Sequence, residues 1–382
     1  MTRKPILLAL SAVLGMWLWQ FATVHFNYGG NWTALFSTAP DWPRPAFLVT
    51  ESLYTFPGSM GYDGQMYHLI AHDPLMRRGA VAAMDDPALR YRRILVPALA
   101  WALALGRDSA IHAAYFAVIL GFAFLGVYWL ARAMLIQGRH PAWGLMFVLM
   151  PATLVSMDRM TVDVALGALT VGLVLYSDYR WKVLPILACA ALTRETGLLL
   201  TAGLCVFLLS RRRFADLVWT AASAVPAIFW YVYVSRHAPP AVGTTRPADV
   251  ASLIPLAGWI ERVAHPANYP LPHLQALAAV ELDYVALGGV ALMLGNAVWL
   301  AWARRWNARA AAIYIFAAAI AFVSTQSMWQ DAFSYGRVAT PLMLLLSAEG
   351  SVAFAPVALV DARIGLNFLK QIIGVARGLT GM

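Results

Sequence analysis

The sequence predicts an all-α protein, a polytopic bundle of about ten transmembrane helices that forms a single domain over residues 1–382. Hydrophobic residues make up 61% of the chain and charged residues only 12%, whereas a soluble domain has roughly 25% charged residues. Mean hydropathy is +0.65. Apolar segments recur from one end of the chain to the other, and no linker rich in Ser or Gly separates a soluble domain from them.

Ten apolar segments have the composition of membrane-spanning helices, which need about 20 apolar residues and are shorter in some tightly packed bundles. The first follows a basic Arg3-Lys4 start and has no small-x-small cleavage site behind it. We therefore predict that it is a retained helix and not a signal peptide. The predicted spans are 5–26, 109–135, 142–157, 161–177, 182–192, 197–210, 214–235, 274–303, 308–328 and 338–360.

The basic connections between these segments predict the orientation of the bundle. Segment 94–106 is apolar but too short to span and contains Pro97, so it is predicted to be an interfacial or re-entrant element on the outer side. Four basic connections then fall on the same side as Arg3, as the positive-inside rule requires: 138–140, 179–182, 211–213 and 304–305. The N-terminus is predicted to be cytoplasmic. The net charge is +9, but the basic residues occur in short clusters between apolar runs and form no continuous stripe, so no nucleic-acid partner is predicted.

The polar segments gather on the opposite, outer face, which is predicted to carry the function. The first outer loop, 27–93, is predicted to contain short interfacial helices that lie flat on the membrane surface, and 236–273 is predicted to form a second outer loop. Residues 193–196 are predicted to form the outer tip of a hairpin, because charges at the bilayer centre are costly. The tail, 361–382, is predicted to lie on the inner membrane surface as an amphipathic helix.

The densest polar stretch lies in the first outer loop, where carboxylates, imidazoles, aromatic rings and guanidiniums occur together. A site for a sugar and a phosphate requires such a mixture: a carboxylate takes a hydroxyl proton, arginines hold phosphate oxygens and rings stack on the sugar. Asp63 is the predicted catalytic base. The predicted substrate-binding residues of this loop are Tyr62, Gln65, Tyr67, His68, Arg90, Arg92 and Arg93.

The same stretch resembles a known family. The runs that carry the resemblance are Tyr62-Asp63-Gly64-Gln65, Asp73-Pro74, and Asp86-Pro87 leading into Arg90-Tyr91-Arg92-Arg93-Ile94-Leu95-Val96-Pro97. They resemble bacterial polytopic membrane proteins of the GT-C glycosyltransferase superfamily, which includes protein O-mannosyltransferases and aminoarabinose transferases. In that superfamily an outer-face aspartate of the first loop acts on a lipid-phosphate-linked sugar. The resemblance implies a GT-C-like bundle and the same placement for Asp63.

The resemblance extends in arrangement beyond the first loop and adds five substrate-binding candidates. These are Asp158 and Asp163 between two short helices, Arg194 and Glu195 at the hairpin tip, and the late outer Arg337. A single Asp stands where some GT-C branches have an Asp-x-Asp pair, which leaves a divalent metal unsupported. No cofactor is predicted.

Each candidate also has a structural interpretation. Asp63 suits a helix N-cap, while Asp73 and Asp86, each before a proline, are predicted to end and to start helices. The three loop arginines equally suit lipid headgroups. The later candidates equally suit a solvated loop, a mutual ion pair or a helix end that reaches to the interface: Asp158 and Asp163, Arg194 and Glu195, and Arg337.

His68 and His72 lie four residues apart, a spacing that can bind a metal on one face of a helix. Only Asp63 or Asp73 offers a third ligand nearby in the sequence. No metal site is predicted.

The predicted function is that of a membrane glycosyltransferase. It would transfer a sugar from a polyprenyl-phosphate donor to a lipid, glycan or protein acceptor at the outer, periplasmic face. Only three of the 28 basic residues are lysine, a composition typical of GC-rich bacteria, and the predicted location is a bacterial inner membrane. The rival interpretation is a transporter or flippase for a lipid-linked or small solute, although the sequence shows no internal repeat of the kind typical of transporters. A structural assembly partner is the third interpretation.

Overall fold

The computed structural model describes residues 3–239, 251–350 and 354–380. Over these ranges the secondary structure is helical, and two isolated β-bridges occur but no strand. The all-α prediction is confirmed. The helices before residue 240 are α1 (Arg3–Asn27), α2 (Asp63–His72), α3 (Pro87–Arg92), α4 (Leu95–Leu103), α5 (Ile111–Ile136), α6 (Pro151–Arg159), α7 (Asp163–Tyr176), α8 (Arg180–Thr193), α9 (Leu198–Ser210), α10 (Phe214–Ala222) and α11 (Val225–His237). Those after residue 250 are α12 (Ala257–Ala264), α13 (His273–Trp302), α14 (Ala308–Phe322), α15 (Gln326–Trp329), α16 (Ala332–Glu349) and α17 (Phe354–Thr380).

Several of these helices have the length and composition of membrane spans. Among the described residues four qualify on their own, namely Arg3–Asn27, Asp108–Ile136, Phe214–His237 and His273–Trp302. A fifth candidate is the pair Pro141–Phe147 and Pro151–Arg159, which is bent by 54°. Leu7, Leu10 and Leu14 on α1 are each more than half exposed, which suits a helix surface in contact with lipid. The membrane character of the chain is thereby supported.

Ten spanning helices are not confirmed. Other apolar segments in the described part of the chain are shorter than the roughly 20 residues that a 30 Å hydrocarbon layer requires. They are Asp163–Tyr176, Glu195–Ser210 and Ala308–Phe322. α4 is also shorter than a span, in keeping with the interfacial element predicted over 94–106.

The segment predicted as one helix over 142–157 consists of two pieces, and its prolines explain the break. Pro141 opens a 3₁₀ helix, Pro141–Phe147, and Pro151 is the first residue of α6. Proline has no N–H to donate to the preceding turn. It also pushes the residue before it out of the helical region, and Met150 is accordingly extended, with ψ 135°.

The end of the chain differs from the prediction. α16 ends at Glu349, where Gly350 with φ 84° closes the helix by donating its N–H to the Ser347 carbonyl. No single helix therefore covers the predicted span 338–360. Within the predicted inner-surface tail, residues 361–380 belong to α17, which packs along α13. Arg363, a charged residue of this tail, faces a buried partner and not the membrane surface. Its Nε donates to Asp283 Oδ1 at 2.9 Å.

The last turns of α17 lie beside the C-terminal end of α1. The Asn27 side-chain amide donates to the Gln371 carbonyl at 3.3 Å, and Gly378 lies against the Phe26 ring. The tail thus ends beside the end of α1 that is opposite to Arg3. In the prediction, 361–382 lay on the same side as Arg3.

The connections between helices sort onto two ends of the bundle. The polar end is the end at which Asp63, Asp163 and Arg337 meet. The basic end carries the basic connections, and two of them come close together where Trp306, next to 304–305, donates through Nε1 to Ser210 Oγ, next to 211–213, at 2.8 Å. The predicted outer-face segments around residues 63, 163, 195 and 337 therefore do come together.

The first outer loop covers the polar end. α2 was predicted to lie flat on a membrane surface, but every residue from Gly64 to His72 is buried by protein. Part of the second predicted outer loop, 236–273, lies outside the described residues. Its described part contains α12, which packs near α14 and α15.

Candidate active site at the polar end

The Tyr62-Asp63-Gly64-Gln65 run forms the N-cap and the first turn of α2. Gly61 has φ 76°, a conformation that glycine adopts at little cost. Gln65 is buried, and its Oε1 accepts from the Ala39 N–H at 3.0 Å while its Nε2 donates to the Met60 carbonyl at 3.3 Å. Gln65 was predicted to bind substrate. In the structure its side chain links two points of the loop that precedes α2.

Gly64 allows α2 to approach its neighbours closely. A Cβ atom at this position would overlap the backbone carbonyl oxygens of Arg159 and Phe36. The close approach brings the first turn of α2 against the C-terminal end of α6. Asp63 thereby reaches the polar groups of α7 and α16.

Asp63 forms ion pairs with two arginines. Its Oδ1 accepts from Arg90 Nη1 at 2.7 Å and its Oδ2 accepts from Arg337 Nη1 at 2.8 Å. The N-cap of α2 is Tyr62, and the Asp63 carboxylate makes no capping hydrogen bond. The N-cap interpretation of Asp63 is therefore not what the geometry shows.

Arg337 joins Asp63 to a second aspartate. The Asp163 carboxylate is 2% exposed, and its Oδ2 lies 3.3 Å from Arg337 Nη1 while its Oδ1 pairs with Arg194. The Arg337 Nε donates to the Phe333 carbonyl at 3.0 Å, which holds the guanidinium in place. Three segments that are far apart in the sequence therefore share one charge network.

Further ion pairs surround this core. Arg90 also makes a two-pronged contact with Asp85, with Nη2 to Oδ2 at 2.7 Å. Arg93 donates to Glu195 Oε2 at 3.2 Å and to the Tyr67 hydroxyl at 3.1 Å. The site cluster thus consists of four carboxylates and four guanidiniums, from Asp63, Asp85, Asp163, Glu195, Arg90, Arg93, Arg194 and Arg337.

Aromatic rings form one wall of the site cluster. Arg337 lies over the Tyr62 ring at 4.9 Å, and Arg159 lies between the rings of Tyr62 and Phe333, at 4.4 and 4.3 Å. Such cation–π contacts stabilise guanidiniums at short range. The Tyr62 hydroxyl and Glu195 Oε1 are buried, and neither has a hydrogen-bond partner among the described residues. These two atoms thus have hydrogen-bonding capacity that the described residues do not use.

Besides Gln65, three predicted site residues lie apart from the site cluster. Arg92 lies 5.8 Å from the Tyr231 ring. Asp158 pairs with Arg159 and accepts from the Gln371 side chain. His68 is directed to the other side of α2, where it meets other histidines.

The predicted structural roles of two other aspartates are observed. The Asp73 carboxylate accepts the backbone N–H groups of Arg77 and Arg78 just after α2, at 2.7 and 2.8 Å. Asp86 caps α3 by accepting from the Leu89 N–H at 3.0 Å. Both residues thus shape the chain between α2 and α3, the helix that carries Arg90.

Asp85 was not predicted as a site residue, and Arg159 was considered only as part of the loop with Asp158 and Asp163. Each stands beside a residue that drew attention on its own account, Asp86 and Asp158. The side chains of such adjacent pairs leave the backbone in different directions, and only the fold shows which one faces the site.

Electrostatics keep Asp63 ionised. Burial opposes its ionisation, but the guanidiniums of Arg337 and Arg90 outweigh burial and hold the pKa of Asp63 well below its usual range. A carboxylate in this state is a weak base while both arginines remain on it. A bound anion that draws an arginine away would raise the pKa of Asp63 and make it a better proton acceptor.

Comparisons of the chain with models of protein families, with curated proteins and with solved structures gave no match.

Proposed function

We propose that the chain is a membrane glycosyltransferase that moves a sugar from a polyprenyl-phosphate carrier to an acceptor hydroxyl at the polar end of the bundle. The observation that carries the proposal is the Asp63 carboxylate held between Arg90 and Arg337 at the end of an apolar helical bundle. A base and two phosphate-binding groups then lie next to a region where a lipid carrier would reside. The GT-C resemblance supports the same assignment.

The arginines would take the phosphate of the donor. A guanidinium can form two parallel, bidentate hydrogen bonds to phosphate oxygens. The Arg337 Nη2 makes no hydrogen bond among the described residues and is therefore available for such a contact. When a phosphate binds, Arg337 or Arg90 turns part of its hydrogen bonding from Asp63 to the anion. Their positive charge would stabilise the phosphate as it leaves, in a site where Arg337 and Asp63 are largely shielded from solvent.

Asp63 would act as the base late in the reaction. The acceptor oxygen bonds to the anomeric carbon while the bond from that carbon to the phosphate oxygen breaks and the phosphate leaves with the electron pair. The proton of the hydroxyl becomes acidic as its oxygen bonds to an oxocarbenium-like carbon. A carboxylate of low pKa can accept it at that stage. One displacement of this kind inverts the configuration of the sugar.

The remaining charges would place the two substrates. The ion pair of Arg93 with Glu195 and the hydroxyl of Tyr67 border the same cluster, while the Tyr62 ring and its unpartnered hydroxyl offer a face for a sugar. By the positive-inside rule, the basic end would face the cytoplasm. The polar end would then face the periplasm of a bacterial inner membrane.

The test is a transfer assay with purified protein in lipid, offered radiolabelled polyprenyl-phosphate sugars. The assay compares wild type with Asp63→Asn and with Asp41→Asn, an exposed aspartate of the same loop as a matched control. We expect wild type and Asp41→Asn to transfer label and Asp63→Asn to lose at least 100-fold in rate, on the order of what a general base contributes. Full activity of a well-folded Asp63→Asn protein contradicts the assignment of the base.

Transport is the second candidate, and the broken span Pro141–Arg159 that ends at the site cluster favours it. Transporters commonly bind their substrates at helices interrupted in this way. Absence of turnover with every donor, together with uptake of a lipid-linked solute into vesicles that depends on Arg337, would support transport over transfer.

A further inference from the structure

A second polar cluster, the histidine cluster, lies on the other side of α2 and takes no part in the proposed sugar transfer. It consists of Glu51, His68, His72 and His112. These residues come from three parts of the chain: the loop before α2, α2 itself and the first turn of α5. One potential ligand atom from each residue lies within 4.8 Å of the other three.

The ring nitrogens face one another. His68 Nε2 lies 2.8 Å from His112 Nε2 and 3.2 Å from His72 Nε2. His112 Nε2 also lies 2.8 Å from Glu51 Oε1, and His68 Nε2 lies 3.8 Å from Glu51 Oε2. A tetrahedral zinc site with bonds of about 2.0–2.1 Å would place its ligand atoms roughly 3.3 Å apart. The observed separations lie on both sides of that value.

Hydrogen bonds alone do not satisfy this arrangement. An N–H donated from one ring to a second pairs those two nitrogens but leaves the third facing them without a role. Glu51 Oε2 is buried and has no hydrogen-bond partner among the described residues. A buried polar atom without a partner costs free energy. One shared cation would satisfy the carboxylate and all three rings.

The surroundings of His72 resemble the support that metal ligands usually have. Its Nδ1 lies 2.8 Å from Asp108 Oδ1, and Arg78 holds the same carboxylate with two hydrogen bonds at 2.7 and 2.8 Å. A carboxylate on Nδ1 fixes the proton there, which leaves the lone pair of Nε2 directed into the cluster. The Phe36 ring stacks on His68 at 4.2 Å, so one side of the cluster is apolar.

We propose that Glu51, His68, His72 and His112 bind one zinc ion in a closed structural site. Three imidazoles and a carboxylate suit zinc and do not suit magnesium or calcium, which prefer oxygen ligands. Four protein ligands leave no open position for a substrate, so the ion would hold the fold and not act on the sugar. It would fasten α2 and the first outer loop to the top of α5.

The first test measures metal in the protein. The full chain is purified with a tag that contains no histidine and without chelator, and its zinc is measured by mass spectrometry. We expect about one zinc per chain in wild type, less than one tenth of that in His112→Ala, and the wild-type amount in His273→Ala, which removes an exposed histidine outside the cluster. Equal zinc in wild type and in His112→Ala would overturn the proposal, because it would mark the metal as adventitious.

The second test keeps the proposal falsifiable if His112→Ala does not fold. Glu51→Gln keeps the size of the side chain and removes the charge of one ligand. Replacing zinc with Co²⁺ in wild type should give the visible absorption of a tetrahedral site, and Glu51→Gln should weaken Co²⁺ binding at least tenfold. Well-folded wild type that gives no such spectrum, or Glu51→Gln with an unchanged Co²⁺ affinity, would overturn the assignment. Neither readout depends on sugar transfer, so failure here leaves the proposed function to its own assay.

Discussion

At the scale of single residues, the position of the Asp63 side chain is fixed by two ion pairs. Its two oxygens accept from guanidiniums that approach from α3 and α16, at 2.7 and 2.8 Å. The Asp63 side chain is 16% exposed, so little water competes for these hydrogen bonds. The same contacts, which the proposed function assigns to a base and its phosphate-binding arginines, also stabilise the fold.

The stabilising effect of Asp63 predicts a dependence on pH. The folded-state pKa of Asp63 lies below its unfolded value, because burial raises it by less than Arg337 and Arg90 lower it. Its ionisation therefore stabilises the fold at pH values above the unfolded pKa of about 3.9. The stabilisation is lost as the pH falls through the folded-state pKa.

We expect Asp63→Asn to lower the free energy of unfolding at pH 7 by on the order of 2 kcal/mol, the size typical of hydrogen bonds to charged groups. The difference between wild type and Asp63→Asn should shrink as the pH falls below about 4. Reversible unfolding in mixed detergent at several pH values measures it, with Asp41→Asn as the control. A difference that grows on acidification would contradict the charge assignment.

At the scale of elements, α2 connects the two clusters. Its first residue, Asp63, belongs to the site cluster, and His68 and His72 near its end belong to the histidine cluster. The helix is buried along almost its whole length and is packed closely through Gly64. A displacement of α2 would therefore disturb both clusters.

Gly64→Ala tests this packing. A methyl group would overlap two backbone carbonyl oxygens, which cannot turn away as a side chain can. We expect a loss of about 1–3 kcal/mol in unfolding free energy, the usual cost of overpacking, and a lower rate of sugar transfer. The matched control is Gly288→Ala in α13, where the added methyl meets nothing within 4 Å. Gly288→Ala should leave stability unchanged or raise it slightly, because Ala favours helix. Equal effects of the two substitutions would mean that the first turn of α2 is not tightly packed.

The same elements show what the sequence can and cannot predict. Apolar runs marked α1, α5 and α13 well, because a long uninterrupted run has one simple explanation. The span predicted over 338–360 was wrong because hydropathy averages across the Glu349-Gly350 break. Asp63 and Arg337 were each singled out, but nothing local in the sequence shows that they pair.

His112 shows a different limit. It is a single histidine at the beginning of an apolar helix, where no local pattern points to a ligand. Only the fold brings it to His68, and Glu51 is equally unremarkable in the sequence. A metal site assembled from three separate segments leaves only a partial spacing signature, here the four-residue spacing of His68 and His72, unlike one carried on a single loop.

At the scale of the whole molecule, the two ends of the bundle differ in charge and in content. The polar end carries both clusters and the last turns of α17, while the basic end carries the basic connections. Arg3 at the beginning of α1 and Thr380 at the end of α17 therefore lie at opposite ends.

Single-cysteine labelling measures this arrangement in cells. The proposed orientation places the polar end in the periplasm. In a chain with Cys189 and Cys205 replaced by Ala, it predicts that Met60→Cys in the first loop and Thr380→Cys react with a membrane-impermeant maleimide added from the periplasm. Arg305→Cys at the basic end should stay unlabelled until the membrane is permeabilised. All three positions are exposed in the structure, so differences in labelling report on the side of the membrane. Protection of Thr380→Cys together with Arg305→Cys would contradict the placement of α17.

The long separation of Asp63 from Arg337 has a consequence for the order of synthesis. The two residues are 274 positions apart, so at typical rates of translation the aspartate is made roughly 14–55 s before its second arginine. During this interval the carboxylate needs water, which a position at the edge of the bilayer supplies and a position at its centre would not. A chain cut short before α16 would keep Asp63 with only one of its two arginine partners, Arg90. The site of such a chain would therefore carry one positive charge fewer than the site that contains Arg337.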